Sequence, residues 1–249
     1  MPESDASAEP LVFRYEFRFA DGRRQTFTIR VNPQTLELIQ PPTASLPEWT
    51  ALTYKQCPSC PLRPEQSPRC PAAVSLVELV NVFGSLRSID EVDVRVEMAE
   101  RQYVKRCALQ EGLGSLLGLL MATSGCPVTA KLRPMARFHL PFSTTEETRY
   151  RVLSMYLLAQ YFRAQRGQTP DWMFAQLVRF YEELSTVNKH LFARITSLVT
   201  EDANLNALVR LDALAMSVAF TVDQHLLEEL EQLFRGYVDS CPAPPAPAE

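Results

Sequence analysis

The amino-acid sequence predicts an α+β protein, a small antiparallel sheet with a cysteine-rich loop packed on a mainly α-helical bundle. Near the N-terminus, apolar and polar residues alternate on both sides of a turn, as in a β-hairpin. From residue 143 onward, apolar residues recur every three or four positions, as in amphipathic helices. A proline-rich stretch with three cysteines lies between these regions. With 249 residues, of which 46% are hydrophobic, the chain is long enough to bury a sizeable core.

The first predicted element is a hairpin in residues 11–31. Apolar positions alternate along its first strand, and the chain reverses at Asp21 and Gly22, a pair typical of hairpin turns. A third short strand is predicted at 35–39. The prolines of residues 40–71 then exclude a regular helix or strand.

The middle of the chain predicts a mixture of elements. A helix at 72–86 begins directly after Cys70 and Pro71, since proline is tolerated in the first helical turn. Alternating valines predict a strand at 90–98, which pairs with 102–109 and extends the hairpin into one sheet. An apolar helix follows at 113–123.

Glycines mark two features of the helix at 113–123. Gly114 and Gly118 lie one turn apart and predict a flat stripe for close backbone approach. Gly125 marks the C-terminal end of the helix, because glycine readily takes the left-handed conformation found there.

The C-terminal part predicts an antiparallel helical bundle. A capping box within residues 143–147, in either of two registers, begins a helix that ends at Gly167. A second helix is predicted at 170–199. Residues 204–220 and 222–238 form two further helices, or one long helix.

We expect a single domain at 11–240. Its first part, 11–110, holds the sheet and the cysteine-rich loop, and 111–240 holds the helical bundle. Residues 1–10 and 241–249 lack a periodic apolar pattern and are expected to be disordered.

Composition and charge exclude several classes of function. The net charge of −4, without a basic cluster, argues against nucleic-acid binding. The acidic, polar N-terminus is unlike a secretory signal, and the longest apolar run, residues 113–122, is too short to cross a bilayer. We therefore expect a cytoplasmic protein without membrane association. Cytoplasmic thiols stay reduced, so the six cysteines are better interpreted as metal ligands or packing residues than as disulfides.

Four cysteines predict a metal site: Cys57, Cys60, Cys70 and Cys126, each followed by proline. A Cys-x-x-Cys turn brings two sulfur atoms to the same point, and a third ligand can enter from the following loop. Zn²⁺ and an iron-sulfur cluster both remain open. Pro61 has no N–H to donate to a sulfur, which weakens the comparison with zinc knuckles and is compatible with iron-sulfur ligation.

His139 is a further candidate, because its proline-bracketed loop follows Cys126 closely in sequence. It is a possible metal ligand or an acid-base group, although a structural histidine is the ordinary interpretation. Cys107 lies in a strand-like segment and is assigned to packing, and Cys241 lies in the predicted tail and is assigned no role.

Two alternatives to a bound structural metal remain open. Cys57 and Cys60 could act as a redox pair, but the following prolines exclude the helix that usually begins at such a motif. The surface between Cys126 and His139 could belong to an unrecognised metalloenzyme. The sequence has no Gly-x-Gly-x-x-Gly, Walker loop or Gly-x-Ser-x-Gly motif, which disfavours the familiar cofactor enzymes.

Several motifs resemble those of a bacterial domain family of unknown function. They are the hairpin FRYEFRFADGR and the runs CPSCPL, SGCP, PMARFHLP and YRVLSMYLLAQYF. The resemblance covers most of the chain and implies a bacterial cytoplasmic protein, with Cys57, Cys60, Cys70, Cys126 and His139 inside the shared motifs. It implies no activity.

These observations predict a cytoplasmic metal-binding protein that acts as a regulatory or protein-interaction module. Its expected partner is another protein or a second copy of the chain. The alternative is a redox protein that uses an iron-sulfur cluster or the Cys57 and Cys60 thiols.

Overall fold

The computed structural model describes residues 9–39, 45–223 and 227–240, and it confirms the α+β class. One antiparallel sheet has the strand order β2-β1-β3-β4, so the predicted hairpin is extended by the later strand pair. Its strands are β1 (Leu11–Phe19), β2 (Arg24–Val31), β3 (Glu91–Glu97) and β4 (Gln102–Ala108). The alternation of apolar residues places Tyr15 and Phe17 on the buried face.

The predicted third strand at 35–39 is wrong. Leu36 takes a left-handed conformation with φ of 56°, which interrupts an extended run. The Asn32 side chain accepts hydrogen bonds from the backbone N–H groups of Gln34 and Thr35, which stabilises a turn instead. Only an isolated bridge joins Leu38 to β2.

The predicted helix at 72–86 is two short helices, α1 (Pro71–Ser75) and α2 (Val77–Phe83). The hydroxyl of Ser75 donates to the carbonyl of Ala72, a side-chain hydrogen bond that competes with regular helix continuation. The predicted start is confirmed: Cys70 is the residue before the first turn and Pro71 opens it.

The apolar helix is α3 (Leu109–Thr123), which begins earlier than predicted because β4 runs directly into it. Its end is confirmed by Gly125, whose φ is +92°. The close approach predicted at Gly114 and Gly118 occurs instead at Gly112, where an added Cβ would lie 2.8 Å from Val94 Cγ2. At Gly114 and Gly118 the same atom would make only ordinary contacts, at 4.0 and 3.8 Å.

Beyond α3 come α4 (Arg133–Arg137) and α5 (Thr145–Gln165). The capping box at the start of α5 is confirmed in one register: Thr144 N–H donates to Glu147 Oε2 at 2.7 Å, and Glu147 N–H donates to Thr144 Oγ1 at 3.1 Å. The helix ends at Gln165, two residues before the predicted end at Gly167, which takes a left-handed conformation with φ of +69°.

The next helix, α6 (Ala175–Ile195), is shorter than the predicted 170–199. Phe174 takes a left-handed conformation, so the helix begins only after it. The Asp171 carboxylate accepts hydrogen bonds from the N–H groups of Ala175 and Gln176 and caps that start.

The last part contains α7 (Ala203–Asp223), α8 (Leu227–Glu231) and α9 (Arg235–Val238). The predicted helix at 222–238 is therefore divided within the described part of the chain. The predicted disordered ends lie largely outside the described residues, as do Cys241 and His225.

One hydrophobic core joins the sheet to the helices. Helix α3 lies between the sheet and α7, and α7 packs against α6. No helix in the described ranges combines the length and the apolar character that crossing a bilayer requires.

Candidate functional site

The four predicted cysteine ligands come from three separate segments. Cys57 and Cys60 flank a tight turn in which the Cys60 N–H donates to the Cys57 carbonyl at 3.0 Å. Cys70 immediately precedes α1, and Cys126 follows the end of α3. Backbone hydrogen bonds fix the segment at Cys70, whose N–H donates to the Thr50 carbonyl at 2.7 Å.

All four cysteines line one small pocket of about 20 Å³. The opposite wall is α6, which contributes Val187, His190, Leu191 and Arg194. A pocket of this size has room for about one water molecule or one ion. The fold therefore brings together the four cysteines that the sequence singled out, although they span residues 57 to 126.

The remaining described cysteine, Cys107, lies elsewhere. It pairs with Val92 in the sheet and is 8% exposed. Burial raises its pKa to about 11. This position agrees with the predicted packing role, and it provides a natural control for Cys126, which is also 8% exposed.

The environment of the cluster disfavours ionisation of the free thiols. Burial is the main reason that the pKa of Cys57 rises to about 11, and the neighbouring Cys70, Cys126 and Cys60 raise it further by charge repulsion. Burial also raises the pKa of Cys70. Without a bound cation, these two thiols stay protonated near neutral pH.

A buried arginine adjoins the cysteines. Arg194 is 1% exposed, and its guanidinium donates to the carbonyl oxygens of Trp49, Ala51 and Leu52 at 2.8, 2.8 and 3.1 Å. None of the ion pairs in the described part of the chain includes Arg194. Its charge lowers the pKa of Cys57 and Cys70, against the larger effect of burial. The pocket thus contains a fixed positive charge that would stabilise thiolates.

His190 is a potential metal ligand that no sequence motif indicates, and it lies in the wall of the cysteine pocket. Its Nδ1 lies 3.0 Å from the Lys55 carbonyl oxygen, which can only accept a hydrogen bond. For neutral His190, the hydrogen therefore belongs on Nδ1, and Nε2 keeps its lone pair for a metal. The separation of four positions between His190 and Arg194 places both on one helical face, but nothing local in the sequence connects that face with the cysteines.

The four cysteines and His190 share a pocket, but their side chains are not arranged as the ligands of one metal ion. Within residues 9–39, 45–223 and 227–240, no three His, Cys, Asp or Glu side chains are placed so that they could hold a metal ion. Metal binding here would require the sulfurs to move together. The turn with Cys57 and Cys60 is half-buried and lies outside regular helices and strands, so it can move without disrupting a helix or the sheet.

His139 lies apart from this pocket. It lines a larger cavity, and its Nε2 forms a short hydrogen bond with the Tyr15 hydroxyl, which also lies 2.9 Å from Ser115 Oγ. Burial, with the positive charge of Arg151, lowers the pKa of His139 to about 3, so the ring is neutral near pH 7. The structure does not bring Cys126 and His139 into one pocket.

Comparison with known proteins gives one match. A family model described as a domain of unknown function (DUF6901) matches residues 13–235, which is most of the chain. No curated protein and no solved structure matches. Chemical inferences therefore depend on the residues of this chain.

Proposed function

The chain belongs to the DUF6901 family of domains of unknown function, and we propose that its four clustered cysteines bind a single metal ion, most suitably Zn²⁺. The observation that carries the proposal is the convergence of Cys57, Cys60, Cys70 and Cys126 on one pocket beside a buried arginine. Thiolates are strong zinc ligands, and a tetrahedral set can include His190 in place of one cysteine.

The size of the pocket favours one ion over an iron-sulfur cluster. A volume of about 20 Å³ accepts one small sphere, whereas a cluster must also accommodate several iron and sulfide atoms. An iron-sulfur protein would need a much larger rearrangement of the loop. Zinc requires that the sulfurs, which line one pocket, move together onto a single ion.

Charge gives a second argument for a thiolate complex. Three or four thiolates around Zn²⁺ leave a net negative charge, and Arg194 is a buried cation without an ion-pair partner in the described chain. A metal-thiolate complex would supply the missing negative charge. Arg194 would then stabilise the bound form more than the empty one.

The raised pKa of Cys57 argues against a dithiol redox pair. Such a pair needs a thiol with a lowered pKa, because the thiolate is the nucleophile. Burial instead raises the pKa of Cys57 to about 11. A Zn²⁺ ion would overcome this by direct coordination of the sulfur, and would have no redox chemistry of its own.

The metal would act as a structural tie. It would join the loop that contains Cys57 and Cys60 to the start of α1 and to the end of α3, so that metal binding and local folding are coupled. We propose a cytoplasmic location, which is compatible with the free thiols of Cys57, Cys60, Cys70, Cys107 and Cys126.

We further propose a regulatory or interaction role for the tied domain, with a second copy of the chain as partner. Its support is an apolar surface on α5, where Leu158, Tyr161 and Phe162 are 55%, 50% and 49% exposed. We expect dimers in sedimentation experiments and monomers for Leu158→Lys. A wild-type chain that remains monomeric at high concentration would contradict the homodimer.

The metal is tested by elemental analysis of protein purified without a metal-chelating tag. We expect about one zinc per chain. Cys126→Ser should lose most of the metal, whereas Cys107→Ser, which alters an equally buried thiol outside the pocket, should retain it. Cobalt substitution adds a spectroscopic readout, because tetrahedral thiolate coordination gives intense ligand-field absorption.

Each outcome distinguishes the alternatives. Iron with acid-labile sulfide would replace zinc by a redox cluster. Metal-free protein that also fails to bind cobalt under reducing conditions would refute the metal site. Equal metal content in the two serine variants would show that the bound metal lies elsewhere.

A further inference from the structure

A cavity of about 430 Å³ lies inside the helical part of the protein, separate from the cysteine pocket. It is bounded by α3, α4, α5, α6 and α7, and by the segment that joins α4 to α5. Ligand sites of small molecules commonly have volumes of roughly 300–1,000 Å³. Most of the wall is apolar, with Leu119, Met135, Leu140, Phe142, Leu184 and Leu214 among its residues.

Two glycines of α3 lie in the wall of this cavity. Gly114 and Gly118 both line it, and an added Cβ would meet its nearest neighbours only at 4.0 and 3.8 Å. Glycine inside a helix is less favourable than alanine. Unlike at Gly112, an added Cβ at either position would make only ordinary van der Waals contact, so close packing does not require glycine here, and both residues form part of the cavity wall.

One polar group in the wall lacks a partner. Asn188 is 2% exposed, and its Oδ1 atom is buried without a hydrogen-bond partner in the described part of the chain. Leaving a buried carbonyl-type oxygen without a hydrogen bond is unfavourable. An occupant of the cavity that donates a hydrogen bond would remove this penalty once the Asn188 amide rotates to expose Oδ1 to it.

Positive charge also faces the cavity. Arg151 lines it, and its Nη2 donates to the carbonyl oxygens of Met135 and Phe138 at 3.2 and 2.7 Å. Arg210 lines it as well and is exposed to solvent. Neither arginine takes part in an ion pair within the described residues, whereas Glu111, the acidic residue of the wall, is paired with Lys105. An anionic group would therefore be favoured over a cationic one.

We propose that this cavity binds a small apolar carboxylic acid that also carries a hydroxyl or amide N–H donor. The apolar body lies along Gly114 and Gly118, the carboxylate pairs with the guanidinium of Arg151, and the donor group satisfies Asn188 Oδ1. This binding site is independent of the cysteine pocket.

The first test compares decanoate with decanol by isothermal titration calorimetry, both below the concentrations at which they aggregate. We expect decanoate to bind about tenfold more tightly, as one additional charged contact provides. Equal affinities for acid and alcohol would overturn the carboxylate assignment. No binding of decanoate or of its hydroxylated forms would overturn the site.

Substitutions then locate the site. Arg151→Gln should weaken decanoate binding about tenfold, whereas Arg149→Gln removes the same charge from the same helix outside the cavity and should leave binding unchanged. Equal effects of the two substitutions would overturn the role of Arg151.

Gly118→Leu should fill the cavity and abolish binding while far-ultraviolet circular dichroism and thermal unfolding confirm a folded chain. Undiminished binding by folded Gly118→Leu would place the ligand elsewhere and overturn the proposal.

The donor group has its own test. A panel of decanoates hydroxylated at different carbons should include at least one compound that binds about tenfold more tightly than decanoate. Asn188→Leu should abolish that advantage and leave decanoate itself bound. A panel without a tighter member, or an advantage that survives Asn188→Leu, would overturn the assignment of Asn188.

Discussion

Two glycines in α3 allow the contact between this helix and the sheet to be tested quantitatively. In Gly112→Ala, the new Cβ would lie 2.8 Å from Val94 Cγ2 and 3.0 Å from Phe17 Cε1. Favourable carbon contacts occur at about 3.5–4.0 Å, so both neighbours would have to move by roughly 0.5–1 Å. Overpacking of this kind destabilises by about 1–3 kcal/mol.

Helix propensity opposes part of this effect. Replacing glycine by alanine in a helix interior stabilises by about 1 kcal/mol, and by less in the first turns, where Gly112 lies. We therefore expect Gly112→Ala to lower the free energy of unfolding by about 1–2 kcal/mol. Gly118→Ala is the matched control, because its Cβ would meet only Leu211 Cδ2, at 3.8 Å. It should raise the free energy of unfolding by about 0.5–1 kcal/mol.

Urea unfolding followed by circular dichroism measures both changes. The midpoints should move in opposite directions with an unchanged dependence on urea, since the surface exposed on unfolding stays the same. Gly112→Ala that is as stable as the wild type would refute the close approach of α3 to Val94 and Phe17. Two substitutions that destabilise equally would refute the uncrowded position of Gly118.

Three further predictions concern the interior and the cysteine loop. Burial lowers the pKa of His139 from its ordinary 6.5 to about 3 in the folded chain, so protonation favours the unfolded state once the pH falls below 6.5. The unfolding free energy should therefore decrease between pH 6.5 and 3 by up to about 1.4 kcal/mol per pH unit. His139→Gln should flatten this dependence, which urea unfolding at each pH measures. Arg194→Gln removes hydrogen bonds to three carbonyl groups and should lower the unfolding free energy by about 2–3 kcal/mol and reduce zinc content; unchanged stability and metal content would contradict its role. Chelation of the metal should accelerate trypsin cleavage after the exposed Lys55, and equal rates with and without chelator would argue against a tie of this loop.

Much of the fold follows from local patterns. The hairpin, the strand pair, the capping box of α5 and the end of α3 at Gly125 were all predictable, because each depends on neighbouring residues and on the period of the backbone. The errors occurred where one residue overrides its pattern. Leu36 and Phe174 take left-handed conformations that no local rule predicts for these side chains, so a strand was lost and a helix began late.

The candidate site, like the fold, was predictable only where it depends on neighbouring residues. The spacing of Cys57 and Cys60 indicates a shared point in space, since a tight turn necessarily brings two such side chains together. No spacing rule connects them with His190 and Arg194, or separates them from His139. Those relations depend on which face of α6 packs against the loop.

Local residue patterns were sufficient to predict the α+β class, the elements with clear periodicity, and the four cysteines as the chemically distinctive group. Long-range packing places these cysteines in a pocket with a buried arginine, puts His139 in a different cavity, and makes Gly114 and Gly118 part of that cavity's wall. The physical reason is the range of the interactions. Turns, caps and periodic burial are fixed by residues a few positions apart, whereas a pocket is fixed by the packing of segments far apart in the chain, where shape and burial of whole elements decide which side chains meet.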